Sequence, residues 1–385
     1  MRFPLAVGVA ASVALSVISG SHPASAATTS STNWTQWGFN AQHTGDNPAE
    51  TVLTRANVSH LVSVFSTRLN GTFPDPIVAG GVVYLSDSNG VVEAINGATG
   101  AVKWRTTPAC AGQVTSDPAF AGGRVWIGLE DPGVAAISAG GNNVSCIESF
   151  LVSSPPSAAH GTVYAAGEGG EVAAINATTG EVRWSRQLPN DNGPYFEDSP
   201  SLSADGSAVF VSGTNSSTKG VVYKVNAATG AVIWSRTVDA CASLNSTVAV
   251  SGSRLFVVSG CNLYGLSAAT GSTIWQNTGV GSGDLAVAGD LVFNGAAAFN
   301  ATNGTLVWNN PTYSGSSPAV ANGVVYVDAG SQIFMLNSST GAVLGVLTPS
   351  SGTQFAGAVI PVDGHVYVCT VNQSTGVASL HAYQP

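Results

Sequence analysis

A phrase of eleven residues recurs along the chain, and no other feature limits the possible folds so strongly. It first reads Ala94-Ile-Asn96-Gly-Ala-Thr-Gly100-Ala-Val-Lys-Trp104. It returns with Ala174, Asn176, Gly180 and Trp184, with Asn226, Gly230 and Trp234, with Gly271 and Trp275, and with Ala298, Asn300, Gly304 and Trp308. Self-similarity at a period of roughly 20–50 residues is the mark of a repeat architecture, in which each unit buries its apolar face only against its neighbours.

The residues around the phrase supply the unit. A short apolar run, Pro76 to Ala79, meets a Gly80-Gly81 turn, and Val82 to Leu85 follows with Tyr84 at its centre. The polar turn Asp87 to Gly90 leads to Val91–Asn96, and the Asn-x-x-Thr-Gly turn leads to a last strand ending at Trp104. Short apolar strands broken by Gly and Asn turns are the grammar of consecutive hairpins, and four in a row make an antiparallel blade. Eight second-strand aromatics mark eight units: Tyr84, Trp126, Tyr164, Phe210, Phe256, Phe293, Tyr326 and Tyr367. The slot at the end of the phrase holds Trp104, Cys146, Trp184, Trp234, Trp275, Trp308 and Gly345. The last unit stops at Pro385 without a fourth strand, and Leu61–Leu69 has the pattern to supply it. The expectation is an all-β, eight-bladed propeller of four-stranded antiparallel blades, closed by an N-terminal strand that completes the last blade; seven blades follow if the degenerate second unit is discounted. Closure hides the sheet edges that isolated blades would expose.

Three segments are expected. Residues 1–26, with Arg2, an apolar run from Leu5 to Ile18 and Ala24-Ser25-Ala26, read as a signal peptide. Residues 27–59 read as an N-terminal extension packing on the propeller, and residues 60–385 as the propeller. The apolar run is too short to span a bilayer, and no cysteine precedes Cys110 to carry a lipid, so a secreted or cell-envelope protein without a lipid anchor is expected. The net charge is −9, and the only lysines are Lys103, Lys219 and Lys224. No basic patch is available for a run of phosphates or an anionic membrane, which argues against nucleic acid and membrane insertion. A monomer is expected.

The phrase Ala-x-Asn-x-x-Thr-Gly-x-x-x-Trp resembles the tryptophan-docking repeat of the pyrroloquinoline-quinone (PQQ)-type β-propellers. The stretch Trp34-Thr-Gln-Trp37-Gly-Phe-Asn-Ala-Gln-His43-Thr-Gly, followed by Asn57 to Leu61, is similar to the N-terminal segment of quinoprotein dehydrogenases. The resemblance covers roughly residues 33–385. It implies the propeller fold and two functions that share it: PQQ-dependent dehydrogenation with Ca²⁺, and non-catalytic outer-membrane assembly. The dehydrogenases carry an adjacent Cys-Cys pair and long inserted loops, and this chain has neither.

Each singled-out residue has a structural reading and a functional one. Indole can floor a flat cofactor, but Trp104, Trp184, Trp234, Trp275 and Trp308 share one position in an outer strand and read as inter-blade docking residues. Trp34 and Trp37 lie outside the repeat and are expected to cover a blade edge. Five cysteines in an exported chain suggest two bridges and one remainder; position favours Cys110–Cys146 and Cys241–Cys261, leaving Cys369. Asp75, Asp117, Asp198 and Asp284 stand just before, or flank, the first strand of their units, where loops line the channel mouth. They are the candidate ligand-binding residues, against the alternative that they serve local turns. No metal-ligand spacing, catalytic motif or catalytic residue stands out. The expected function is a non-enzymatic binding or scaffolding module with a protein or glycan partner at one face and no cofactor. A PQQ-dependent alcohol or sugar dehydrogenase, and a propeller polysaccharide lyase or hydrolase, are the alternatives.

Overall fold

In the computed structural model the repeats become eight antiparallel sheets arranged as the blades of a closed ring. The structure describes residues 33–385 except 72–74, 113, 115, 130–132, 148–151, 153, 168, 190–195, 197, 215–218, 239–245, 260–261, 281–282 and 312–315. The expected signal peptide, residues 1–26, and the pair Cys241 and Cys261 therefore lie outside the described residues. Ser31–Pro385 is one compact unit.

Blade one sets the pattern with Ile77–Ala79, Val82–Ser86, Val92–Asn96 and Val102–Thr106, each hydrogen-bonded to the next. The first three strands are buried and the last is largely exposed, so each blade runs from the axis outward to solvent. Blade eight is built from both ends of the chain. Thr353–Val362, His365–Asn372 and Ala378–Gln384 are joined by Val62–Arg68, which pairs antiparallel to Ala378–Gln384. There are eight blades and not seven, because the degenerate second unit forms a full sheet from Ala119–Ala121, Arg124–Leu129, Gly133–Ser138 and Val144–Ile147.

The phrase explains how neighbouring blades meet. Asn96 Oδ1 accepts from the N–H groups of Ala98 and Thr99, folding the chain back tightly. The register then slips between Ala94 and Ile95, and the same slip recurs in blades three to seven. A bulge of this kind re-aims the next side chain, here the tryptophan. Its ring lands on the glycine of the next blade's Thr-Gly turn. A Cβ on Gly304 would lie 2.6 Å from the Trp275 ring, and at φ +75 any other residue is strained there. The indole N–H then donates to a neighbouring-blade carbonyl: Trp104 to Ala139 (2.9 Å), Trp184 to Ala227 (2.9 Å), Trp275 to Ala301 (3.1 Å) and Trp308 to Ser338 (2.8 Å).

Blade eight, whose outer strand Val62–Arg68 carries no tryptophan, and three other blades depart from this scheme. Trp234 Nε1 has no partner among the described residues, because Lys224 Nζ takes the equivalent carbonyl, Ala268, at 2.9 Å. In blade two the bulge is missing, so Ser145 and not Cys146 sits opposite Ala136, the position that faces tryptophan elsewhere. The placement of Cys146 in the tryptophan slot is thus corrected by one residue: it faces the other side of its sheet, where it is joined to Cys110 with a Cα–Cα distance of 5.6 Å. In blade seven the slot left by Gly345 is not empty. The helical turn Val58–His60 fills it, with Val58 O and Ser59 Cα at 2.9 and 3.0 Å from where a Cβ would be.

Removing a buried indole of this kind costs about 3–5 kcal/mol. We expect Trp275→Ala to lower the unfolding free energy by that amount, read as a lower guanidinium midpoint at unchanged m-value. Trp234→Ala should cost about 1 kcal/mol less, since its N–H makes no bond to lose.

Candidate functional site

The innermost strand of each blade turns one edge toward the axis, and its inward N–H groups need partners in a place water cannot freely supply. The N-terminal segment provides them in chain order. Trp34 exchanges both backbone bonds with Val78 in blade one, at 2.9 and 2.7 Å. The Phe120 N–H then donates to Thr35 O, Ala158 N–H to Gln36 Oε1, Leu202 N–H to Ala41 O and Val250 N–H to Gln42 O. Val287 N–H donates to Thr44 O and Val320 N–H to Gly45 O, both at 2.7 Å. The eighth position is Pro361, which has no N–H. There the polarity reverses, and Asn47 Nδ2 donates to Pro361 O at 3.0 Å. Residues 34–47 thus reach every blade and occupy the axis. Gly38 permits the coil, since a Cβ there would stand 2.9 Å from His43 Cα. Trp34, expected at a blade edge, does pair with the inner edge of blade one at Val78, and Trp34 and Trp37 also line an axial cavity with His43 and Asp284.

His43 is fully buried, with Nε2 2.7 Å from Ser157 Oγ and 3.0 Å from the Pro200 carbonyl. Burial brings its pKa down to about 4 despite the carbonyls of Pro200 and Trp37, so the ring is neutral near pH 7. Ser157 also meets Ser199 Oγ at 2.9 Å, and Ser199 donates to Pro155 O. This Ser–His contact pins the thread to blades three and four, and both partners are inaccessible.

Three of the four candidate aspartates come together above the thread. Each reaches sideways to the preceding blade. Asp117 accepts from the Asp75 N–H (3.3 Å), Asp75 accepts from the Ala358 N–H, and Asp284 accepts from the Thr247 N–H (2.9 Å). Their position before the first strand lets each cap the corresponding backbone of its neighbour. Ser317 Oγ adds a bond to Asp284 at 3.3 Å. Asp198 receives a hydrogen bond from Ser212 in its own blade at 3.3 Å, and its charge is not among the causes of the shifts of Asp75, Asp117, Asp284 and Asp328.

Desolvation dominates the electrostatics. It raises Asp75 to about 6, with the charges of Asp284 and Asp328 adding to the rise. It also raises Asp117 well above the usual carboxylate range, helped by the Asp75 charge. Asp284 and Asp328 are also raised, mainly by burial. Cys369, the free cysteine, is buried beside this cluster, and burial with the Asp75 and Asp117 charges pushes its thiol far up. It is an inert thiol rather than a nucleophile. Asp328 was invisible as a site residue because it closes a second strand, Val324–Asp328, with no repeat signal. His43 was seen only as part of a resemblance; its place on the axis depends on a thread whose path no periodicity reveals.

The cavity between the thread and the cluster measures about 30 Å³. That holds a water and falls far short of the roughly 300–1,000 Å³ of a ligand pocket. No three His, Cys, Asp or Glu side chains among the described residues are set to hold a metal ion. The disulfide joins residues 36 apart and not neighbours. The axial cavity among the described residues is too small for a tricyclic quinone.

The sequence profile of the outer membrane protein assembly factor BamB family matches residues 24–217 and 218–384. Outer membrane protein assembly factor BamB of Yersinia pestis is 27% identical over 135 residues, 30% of this chain and 34% of that protein. Tetrathionate hydrolase of Acidithiobacillus ferrooxidans is 24% identical over 299 residues, 69% of this chain and 55% of that protein. The matched stretches thus span about a third to a half of these relatives. The crystal structure of quinohemoprotein alcohol dehydrogenase from Comamonas testosteroni superposes with a TM-score of 0.74 at 15% identity, covering 91% of this chain and 80% of that one; at that identity the likeness is one of fold.

A buried acid with a raised pKa stabilises the fold below its unfolded pKa near 4 and loses that contribution as pH rises through the folded value. Stability attributable to the cluster should therefore fall between about pH 4 and pH 7. His43 acts oppositely, its contribution being lost as pH falls from about 6.5 toward 4. Asp117→Asn keeps the acceptor for the Asp75 N–H and removes one charge. We expect it to unfold at the wild-type temperature at pH 5 and to be more stable at pH 8 by roughly 1–3 kcal/mol, read from thermal unfolding at both pH values.

Proposed function

We propose, for a chain that belongs to the outer membrane protein assembly factor BamB family, a non-enzymatic binding or scaffolding role in the cell envelope, with a protein or glycan partner at one propeller face. The observation that carries this reading is the filled axis. Residues 34–47 and the aspartates Asp75, Asp117 and Asp284 spend their hydrogen-bonding groups on the blades, leaving the loops at the two faces as the surface free to recognise something. A relative named as an assembly factor supports a protein partner. No helix among the described residues is long and apolar enough to cross a membrane, in keeping with a chain held at the envelope by its partner. Two enzymatic names stand against this reading, a quinohemoprotein alcohol dehydrogenase and a tetrathionate hydrolase. The aspartates a polysaccharide lyase or hydrolase would use are buried and engaged, which weakens that alternative as well.

The test sets binding against catalysis with one preparation of the mature chain. Chemical cross-linking in intact cells should yield a discrete adduct with one partner, reproduced when the two purified proteins are mixed. The same preparation, supplied with the quinone, Ca²⁺ and an artificial acceptor, should reduce no dye with alcohols or sugars, and should not consume tetrathionate. Substrate-dependent turnover in either assay would overturn the reading, as would the absence of any reproducible adduct.

A further inference from the structure

Away from the axis, between blades eight and one, lies an open groove of about 680 Å³ lined by Arg68, Asn70, Ser88, Asn89, Arg105 and Thr375 among others. It sits where the strand closing the ring, Val62–Arg68, ends beside the turns of its two neighbours. Its floor is organised by Glu93, which is fully buried. Glu93 Oε2 pairs with Arg105 Nε at 3.0 Å, and Glu93 Oε1 accepts from the Asn70 N–H at 3.2 Å. Arg105 Nη2 in turn reaches the Arg68 carbonyl at 3.4 Å, and Asn89 Nδ2 holds Asn70 O at 3.1 Å. One buried carboxylate therefore fixes the loop carrying Arg68 and the guanidinium of Arg105 in a single arrangement.

The groove faces outward with donors. The Arg68 guanidinium is exposed and has no carboxylate or hydrogen-bond partner among the described residues, and the ion pair of Glu93 with Arg105 is the one found among them. The nearby carboxylates lie underneath. Asp87 is buried, and its Oδ1 accepts from the Asn89 and Val91 N–H groups. In a chain of net charge −9 with 12 Lys and Arg in all, two guanidiniums converging on one polar groove stand out as a site for an anion. Arg favours planar oxyanions. The rest of the lining combines the amides and hydroxyls of Asn70, Asn89, Ser88 and Thr375, suited to hydrogen-bonding a polyhydroxylated body, with Leu69, Val377 and two glycines, and no aromatic side chain is among the described lining residues.

We propose that this groove binds a carboxylated sugar of the hexuronate class, with the carboxylate at Arg68 beside Arg105 and the ring hydroxyls on Asn70, Asn89 and Thr375. The single unpaired guanidinium matches a monoanion, and the volume admits one or two sugar rings. The proposal rests on the binding-module reading and specifies a glycan ligand for one place on it.

The experiment is calorimetric and NMR titration of the purified mature chain with glucuronate, glucose and glucose 6-phosphate, repeated on Arg68→Gln. Arg105 is left intact, because removing it would strand the buried Glu93 charge. Glucuronate should bind at least about tenfold tighter than glucose, the increment of one charge-assisted contact. Its affinity should fall several-fold on raising salt from about 20 to about 200 mM. Arg68→Gln should reduce it to the glucose level, with shifts confined to amides around Asn70, Asn89 and Thr375. Equal affinity for glucuronate and glucose, an unchanged Arg68→Gln, or tighter binding of glucose 6-phosphate would each overturn the assignment. None of these outcomes bears on whether a protein partner is cross-linked in cells, so the two readings fail separately.

Discussion

The structure depends on how eight inner strands, each presenting an edge to the axis, find partners for groups that cannot stay bare. An unpaired buried backbone group costs about 1–3 kcal/mol, and here the same group recurs around the ring. The answer is one extended segment, Trp34 to Asn47, that gives an oxygen to seven N–H groups and a side-chain N–H to the carbonyl of Pro361. Proline at that position is tolerated because Asn47 reverses the polarity. The same segment then turns outward, seats Val58 and Ser59 on Gly345, and continues as the strand that completes blade eight. Filling the axis and closing the ring are thus consecutive acts of one stretch of chain.

Between blades a second interaction repeats, the indole laid on a glycine with its N–H on a carbonyl. Its exceptions are instructive because each is compensated by different chemistry. Lys224 takes the carbonyl that Trp234 does not reach and lies 5.6 Å from the Phe210 ring centroid, giving a cation–π contact. Blade eight uses Phe65 over Gly100, while the Tyr367 hydroxyl supplies the bond to Gly97 O at 3.0 Å. Blade two lacks both bulge and indole, and the Cys110–Cys146 link ties its outer strand to the loop entering it. The contact between blades can therefore be made without tryptophan, as blades seven and eight show.

Blade number, strand order and the closing strand were legible because they are periodic: spacing of apolar runs and turns repeats eight times, and a missing fourth strand at one terminus matches a spare one at the other. The axial thread was not legible, since Trp34 to Asn47 follows no period and its partners are backbone groups. Convergence of Asp75, Asp117 and Asp284 could be anticipated from their common position, but their orientation could not. A residue before an inner strand can point up to solvent or sideways to the next blade, and only the ring geometry chooses. The register of Cys146 failed for a related reason. Counting from the turn assumes a bulge, and the blade-two turn, Ser138 to Asn143, makes none.

These arrangements bear on what such a ring can be used for. A catalytic centre on the axis would need a cavity and ionisable groups held in reserve for substrate. Here desolvation keeps His43 neutral and raises the pKa of the aspartates, and backbone N–H groups occupy their oxygens. Freeing any of them for chemistry would open a contact between blades. The groove at the junction of blades eight and one is organised the opposite way: its buried carboxylate, Glu93, is spent on alignment, and the guanidinium of Arg68 is left facing solvent. Where the fold spends its polar groups on itself it gains rigidity, and where it leaves them outward and fixed it is prepared to bind. That division sets stability along the axis of the ring, and the proposed recognition lies on its rim and faces.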